Sequence, residues 1–489
     1  MKEIRPFLKA TFVCLLTAYS ISVNAQPEKP NIVLILIDDM GFRDVGFNGS
    51  DFYQTPNINA LAKEGMIFTN AYAAAGNCAP SRACLISGQY TPRHGIYAVG
   101  STKRCPVNKM RLQPIPNKQD LNPAIYTIAE AMRDGGYRTG MYGKWHLGKT
   151  AETSPKGQGF EVVDTFDPPS DAEFASTKDP KGIYRITSGA SKFMEDNKDR
   201  PFFLYVAHHA THMMIQANDD MYAKFKGKAG EYQTNEKYAA MNGQVDDGVG
   251  KLLQKIKDLG IEKNTLVIFT TDNGGLPQSP QNPLRGFKGM YYEGGIRVPF
   301  IAKWPGKIQA GSVNNTPVIN LDLFPTFLDA GNIKKPVDKI LDGESIKPLF
   351  AGSEKLKRDA IFWHFPGYLD NSNPGSRDKE FRTRPVTTLR KGNWKLLLYH
   401  EEWALDGGRS KMMTNNSLEL YNLKDDISEK KNLASVNTAK RDELLADLLA
   451  KLSFTGGKIP TTRNPLFGKV LTPEQIKKAK EEAGNSEND

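Results

Sequence analysis

The stretch Asn31-Ile32-Val33-Leu34-Ile35-Leu36-Ile37-Asp38-Asp39-Met40-Gly41 decides the architecture. From Ile32 to Ile37 it is unbroken aliphatic sequence, rich in β-branched residues, without the polar alternation of a strand that faces water. Such a run reads as a strand buried on both faces. It stops abruptly at two carboxylates and a glycine. Phe202-Phe203-Leu204-Tyr205-Val206-Ala207, introduced by Pro201, repeats the pattern. So does Leu266-Val267-Ile268-Phe269-Thr270, which runs into Asp272-Asn273-Gly274-Gly275. Ile296-Arg297-Val298-Pro299-Phe300-Ile301 reads as a fourth strand.

Helical patterns separate these strands. Residues 127–133 form a short amphipathic segment stopped by Gly135-Gly136, and residues 235–259 form a long one with Lys251, Lys255 and Lys257 towards its end. Lysines there complement the helix dipole. Strands alternating with helices predict an α/β fold with a mostly parallel sheet covered on both sides. After about Arg384 the texture changes. Residues 386–398 read as a hairpin around Lys391-Gly392-Asn393, residues 418–423 as a short strand and 440–452 as an amphipathic helix. These predict a smaller antiparallel α+β subdomain over 385–489, with a polar tail, disordered from Glu481, behind a large α/β domain over 26–384.

A chain of 489 residues with 39% hydrophobic and 25% charged content has the composition of a soluble globular protein. Its first residues stand apart. Lys2, Arg5 and Lys9 precede the apolar run from Phe12 to Leu16, and Val23-Asn24-Ala25 offers a small-residue cleavage site. That is the pattern of a signal peptide over residues 1–25, and it predicts export to the periplasm or the exterior. No run is long enough to span a bilayer. The net charge of +10 suits a polyanionic partner. No motif points to nucleic acid, and oligomeric state is not encoded in any pattern. Beyond the signal peptide the cysteines are Cys78, Cys84 and Cys105.

Ligands of open α/β sheets bind beyond the carboxyl ends of the strands, where Asp38-Asp39 and Asp272-Asn273 both fall. Three carboxylates and an amide, all oxygen donors, suit Ca²⁺ or Mg²⁺ and do not suit zinc. Each cluster alone is also ordinary loop chemistry. Gly76-Asn77-Cys78-Ala79-Pro80-Ser81-Arg82-Ala83-Cys84-Leu85 reads as a turn entering a helix, where spare N–H groups favour an anion and would lower the pKa of Cys78. Taken singly, the cysteine could equally be buried or disulfide-bonded. His208 and His212 are four apart, but no Glu stands between them as in a zinc-binding His-Glu-x-x-His helix.

The Cys78-Ala79-Pro80-Ser81-Arg82 string, continued to Thr91-Pro92-Arg93-His94-Gly95, resembles the signature of the type I sulfatases of the alkaline phosphatase superfamily. In that family Cys-x-Pro-Ser-Arg directs oxidation of the cysteine to formylglycine; with Cys78 consumed in this way, Cys84 and Cys105 would be left as a possible disulfide in an oxidising compartment. Gly136 to Gly148, with Lys144-Trp145-His146, resembles the second sulfatase signature, and Arg285 to Pro299 resembles the block carrying a sulfate-binding lysine, here Lys288. Thr211-His212-Met213-Met214 stands where many relatives have Pro-His-x-Pro, so both prolines are absent. The resemblance runs to Leu420-Tyr421-Asn422-Leu423.

It implies the alkaline phosphatase-like fold and Ca²⁺, less favourably Mg²⁺, held by Asp38, Asp39, Asp272, Asn273 and the modified Cys78. It also implies maturation by a formylglycine-generating or anaerobic sulfatase-maturing enzyme. The hydrated aldehyde at position 78, with Arg82 beside it, would be the nucleophile. Lys144, His146, Lys288 and His212 would surround the sulfate, with His212 or Lys288 as acid, His208 or His209 as substitutes, and His146 as base. Secretion and positive charge favour a sulfated carbohydrate substrate. The alternatives are a phosphonate monoester or phosphodiester hydrolase of the same superfamily, and a glycan-binding pseudoenzyme if Cys78 stays a thiol.

Overall fold

A computed structural model describes residues 29–166, 178–369 and 371–483. The signal peptide expected over residues 1–25 lies outside them. Strand Asn31–Ile37, buried along its whole length, sits inside an eight-stranded sheet. The strand order is Ser312–Asn314, Met66–Phe68, Phe300–Lys303, Thr265–Thr271, Asn31–Ile37, Phe202–His208, Arg138–Gly143, Val162–Thr165. The last five pair in parallel, whereas Phe300–Lys303 runs antiparallel to both neighbours. The sheet is therefore mixed and mostly parallel, as expected.

The aliphatic run has no polar face because both faces are covered. Ile32, Leu34 and Leu36 pack with helices Cys78–Ser87, Ile128–Asp134 and Leu323–Ala330. Val33, Ile35 and Ile37 pack with Pro56–Glu64, Ile183–Asp196 and Glu236–Asp258. Among the described residues no helix is long and apolar enough to cross a membrane.

A second sheet orders Ala360–Phe365, Val386–Lys391, Trp394–Tyr399 and Leu418–Asn422, all antiparallel. Helix Thr438–Thr455 covers one face through Leu444, Leu445 and Leu448. The other face contributes Ile361, Trp363 and Leu397 to a cluster with Cys84, Phe287 and Tyr292. It also presents Lys395, buried and 3.0 Å from Glu293 and 2.9 Å from Glu429. The small sheet thus buttresses the segment that carries Lys288.

Three expectations need correction. Residues 296–301 are not one strand: Glu293–Ile296 is a helical turn, closed by Arg297 N donating to Glu293 O at 2.8 Å, and the strand begins at Phe300. Pro299 has no N–H for a ladder, so the strand of the large sheet starts beyond it, and Arg297 ahead of it makes only an isolated bridge with Tyr72. Cys84 is a free thiol, buried with Sγ 3.3 Å from His94 Nε2, so no Cys84–Cys105 disulfide forms. Helix Pro473–Ala483 continues through Glu481, where the tail was expected to begin, and residues beyond 483 lie outside the described ones.

The expected helix at 127–133 is Ile128–Asp134. Thr127 caps it, accepting from Glu130 N at 3.1 Å while Glu130 accepts from Thr127 N at 2.8 Å. Thr127 also donates to Gln158 O at 2.7 Å. Thr127→Ala is expected to cost about 1 kcal/mol in equilibrium denaturation. An unchanged midpoint would show the cap to be redundant.

Candidate active site

The register of the central strands builds the site. Ile37 stands beside His208 on one side and Thr271 on the other, so three chains leave the sheet together. Backbone bonds continue past the strand ends: Asp272 N donates to Ile37 O at 3.2 Å and Asp38 N to Ala210 O at 3.1 Å. Strict alternation would send Asp38 and Asp39 to opposite sides. Asp39 instead takes a left-handed conformation, with φ 60°, and both carboxylates serve one site. Aspartate tolerates that region better than most residues.

Cys78 begins helix Cys78–Ser87, with Sγ 3.6 Å from Asp39 Oδ1. One turn on, Arg82 reaches Asp272 Oδ2 through Nε at 2.9 Å and Nη2 at 2.8 Å, and donates to Lys144 O at 2.6 Å. Its Nη2 is also 3.7 Å from Asp38 Oδ1. Arg82 therefore clamps a carboxylate and a backbone carbonyl. Lys144 Nζ lies 2.7 Å from Asp38 Oδ2, and Lys288 Nζ lies 2.9 Å from Asp39 Oδ2. Every one of these side chains is buried.

Burial opposes each of these charges, and the ion pairs decide which survive. Lys144 and Lys288 are held above the ordinary lysine range because Asp38 and Asp39 outweigh desolvation. Asp38 stays well below the carboxylate range, since Lys144 and Arg82 overcome its burial. Asp272 goes the other way: burial, reinforced by Asp38, pushes it up to about 7 despite Arg82. Crowded carboxylates of this kind are relieved by a bound cation. The lowered pKa expected for Cys78 is not found. Burial, then Asp38, pushes its thiol well above the usual range, and the helix start does not compensate.

The donor set fits a hard divalent ion. Ligand atoms of Asp38, Asp39, Cys78 and Asp272 all lie within 4.8 Å of one another. Asp38 Oδ1 and Asn273 Oδ1 are buried without a hydrogen-bond partner. Buried oxygens left in that state need an explanation, and an oxygen-liganded cation such as Ca²⁺ provides one.

Two histidines reach the same place. His146 does so through a left-handed backbone (φ 65°), near enough for Lys144, Arg82 and Asp38 to act on its charge, and its Nδ1 is buried without a partner. Trp145 turns into the core and donates to Thr153 O at 2.9 Å. His212 Nδ1 lies 2.7 Å from Met213 O and Nε2 lies 3.8 Å from Asp39 Oδ2. A carbonyl can only accept, so Nδ1 carries the proton and Nε2 faces the site. Burial, with the cations Lys144 and Lys288, holds both imidazoles well below their usual range.

His208 is not part of this group. It ends its strand among the residues that pack on helix Glu236–Asp258, 3.9 Å from the position a Cβ would take on Gly248. His209 is close, its ring 5.1 Å from that of His212. Two contributors carried no sequence signal. Thr211 fixes Asp38 by donating from N to Asp38 O at 2.6 Å. Lys181 is buried near the site, with an amine drawn down to about 8 by burial while Asp38 opposes that shift.

The chain matches the profile of the Sulfatase family over residues 30–333 and that of the N-sulphoglucosamine sulphohydrolase C-terminal region over 287–455. It is 32% identical to a sulfatase from Formosa agariphila, over 85% of this chain and 86% of that one. It is also 32% identical to N-acetylgalactosamine-6-sulfatase of Mus musculus, over 71% of each chain. The crystal structure of Ps i-CgsB aligns with a TM-score of 0.71 and 28% identity, covering 92% of this chain and 98% of that one. A phosphonate monoester hydrolase of Agrobacterium radiobacter, at 19% identity and a TM-score of 0.66 over 87% of this chain and 96% of its own, shares the fold alone. With the family profile spanning more than half of the chain, and Cys78, carboxylates and cations gathered at one strand-end site, the protein belongs to the sulfatase family and is a sulfuric ester hydrolase.

Proposed function

We propose that the protein removes sulfate from a sulfated carbohydrate in the periplasm or outside the cell, using Ca²⁺ and a formylglycine made from Cys78. The observation that carries this reading is the meeting of Cys78, three aspartates, Asn273, Arg82, Lys144 and Lys288 at one sheet edge. When present, Ca²⁺ supplies positive charge to a sulfate oxygen, and formylglycine supplies the hydrated aldehyde that attacks sulfur. Asp38, Asp39, Asp272 and Asn273 would hold the ion.

The chain's other groups divide the remaining work. Lys144 and Lys288 bind the non-bridging oxygens of the ester, where charge is already present and must not be left unpaired. Arg82 keeps Asp272 and the Lys144 backbone in place. His212 delivers a proton from Nε2 to the leaving oxygen, and His146 accepts one when the nucleophile is regenerated. The carbohydrate assignment draws on relatives: one is named an N-acetylgalactosamine-6-sulfatase, and Ps i-CgsB has been solved with k-i-k-neocarrahexaose. A panel of position-defined sulfated saccharides, beginning with N-acetylgalactosamine 6-sulfate, tests it. Activity on phosphonate monoesters exceeding that on every sulfate ester would overturn it.

Maturation can be tested separately. Every residue from Cys78 to Arg82 is buried in the folded chain. An oxidising enzyme that must grip this segment therefore has to act before folding closes over it. Folded thiol protein is expected to resist conversion by a formylglycine-generating enzyme, while an unfolded chain or a peptide spanning 76–90 is converted. Peptide mass spectrometry reads the loss of the CH₂SH mass. Equal conversion of the folded form would show that the helix start opens in the native state.

For the metal, Asp39→Asn removes a ligand charge and leaves Lys288 without its partner. Calorimetry on chelator-treated protein should show Ca²⁺ affinity reduced roughly tenfold or more. Stoichiometric zinc by elemental analysis, with activity indifferent to the substitution, would reject the site.

A further inference from the structure

Lys181 is a buried cation close to the site that the chemistry above does not use. The residue is 2% exposed, and among the described residues its amine has no hydrogen bond or ion pair, although the amine is not fully enclosed and so keeps a contact with solvent. Lysines are almost never buried this fully without a partner. Its position is set by the fold. Gly182, next in the chain, takes φ 64° and caps helix Ile183–Asp196, which packs on strands Phe202–His208 and Arg138–Gly143. A Cβ on Gly143 would come within 3.3 Å of Ile186 on that helix. A Cβ on Gly182 would strike Phe166, just past the end of strand Val162–Thr165. Lys181 is therefore held at the same sheet edge as Lys144. It is near enough for Asp38, Asp39 and Lys144 to act on its charge, and for its charge to act on His209. His209 Nδ1 is itself buried without a hydrogen-bond partner, beside His212.

Charge matching sets this lysine apart from the other three cations. Arg82, Lys144 and Lys288 face carboxylates at 2.8, 2.7 and 2.9 Å before any substrate arrives. A divalent ion and one ester sulfate would then complete the site around position 78. Lys181 remains unmatched. A neutral substituent pressed against it would complete its desolvation and return nothing for the buried charge. An anion would form a charge-assisted hydrogen bond there.

Resting on the sulfatase reading above, we infer that Lys181 recognises a second anionic group of the substrate, a sulfate or carboxylate carried near the scissile sulfate. The substrate is thus a polyanionic saccharide rather than an isolated monosulfated sugar.

The test measures binding to Ca²⁺-loaded Cys78→Ala protein, in which turnover cannot confuse affinity. Titration calorimetry compares monosulfated N-acetylgalactosamine and N-acetylglucosamine with their disulfated forms. A third arm uses a disaccharide in which a uronate adjoins the monosulfated sugar, which separates a sulfate from a carboxylate as the second anion. At least one doubly charged ligand should bind about tenfold or more tightly than its singly charged counterpart, as a charged hydrogen bond predicts. Adding Lys181→Gln should erase that preference, and Lys181→Arg should keep most of it. If Lys181→Gln does not fold, Lys181→Met makes the same comparison with an apolar chain of similar length. A preference that survives loss of the amine, or no preference in the parent, overturns the inference. Failure of matured protein to hydrolyse 4-nitrophenyl sulfate or any sugar sulfate would instead overturn the sulfatase chemistry, a result read independently of ligand preference.

Discussion

Replacing Cys78 with alanine is expected to lower turnover by about 10⁴-fold or more, the scale on which enzymes lose a nucleophile, while the protein stays folded. The side chain is buried, but deleting one sulfur removes about 1 kcal/mol of burial, and its nearest polar neighbour is the carboxylate Asp39 at 3.6 Å. The three ion pairs that organise the site do not pass through Sγ. Cys78→Ser is the sharper companion. A serine keeps an oxygen that can attack sulfur, but the resulting ester has no second hydroxyl to expel it. Intact mass spectrometry should then find one sulfate bound per chain and no continued release of product. Serine protein that turns over at the parent rate would show that the aldehyde is not needed. Alanine protein that is fully active would remove position 78 from the chemistry altogether.

The parts of this site legible in the sequence are those made by strands. An aliphatic run with no polar face forces double burial, and double burial in a parallel sheet places whatever follows it at the carboxyl edge. Asp38 and Asp272 follow from that logic, and the structure puts them together. Side-chain direction was not legible. Asp39 and His146 reach the site through left-handed backbone, which no alternation rule anticipates. The segment 296–301 has strand composition, yet four residues ahead of Pro299 close into a helical turn because Arg297 N finds Glu293 O. The Cys78 thiol was misjudged for a quantitative reason: the partial charge of a helix start is small beside complete desolvation among carboxylates. Lys181 had no signature at all. One lysine in Asp179-Pro180-Lys181-Gly182 is unremarkable until tertiary packing buries it.

His212→Ala is expected to separate two classes of substrate. A sugar alkoxide is a poor leaving group, so its oxygen must gain a proton as the S–O bond breaks, whereas a nitrophenolate departs with little help. Loss of a general acid typically costs 10²-fold or more, and sugar sulfates should show a loss of about that size in kcat/KM. The geometry supports the role. Nδ1 donates to Met213 O at 2.7 Å, which turns Nε2 towards the site, 3.8 Å from Asp39 Oδ2. Burial and the cations Lys288 and Lys144 keep the ring neutral at rest. In the proposed role, an incoming sulfate would offset those cations and let Nε2 take up a proton for the leaving oxygen. 4-Nitrophenyl sulfate should lose much less in kcat/KM, and the gap between the two losses measures the protonation contribution. Equal losses on both substrates would place His212 in sulfate binding instead. The proton would then have to come from Lys288, held 2.9 Å from Asp39, or from His209, whose ring lies 5.1 Å from that of His212.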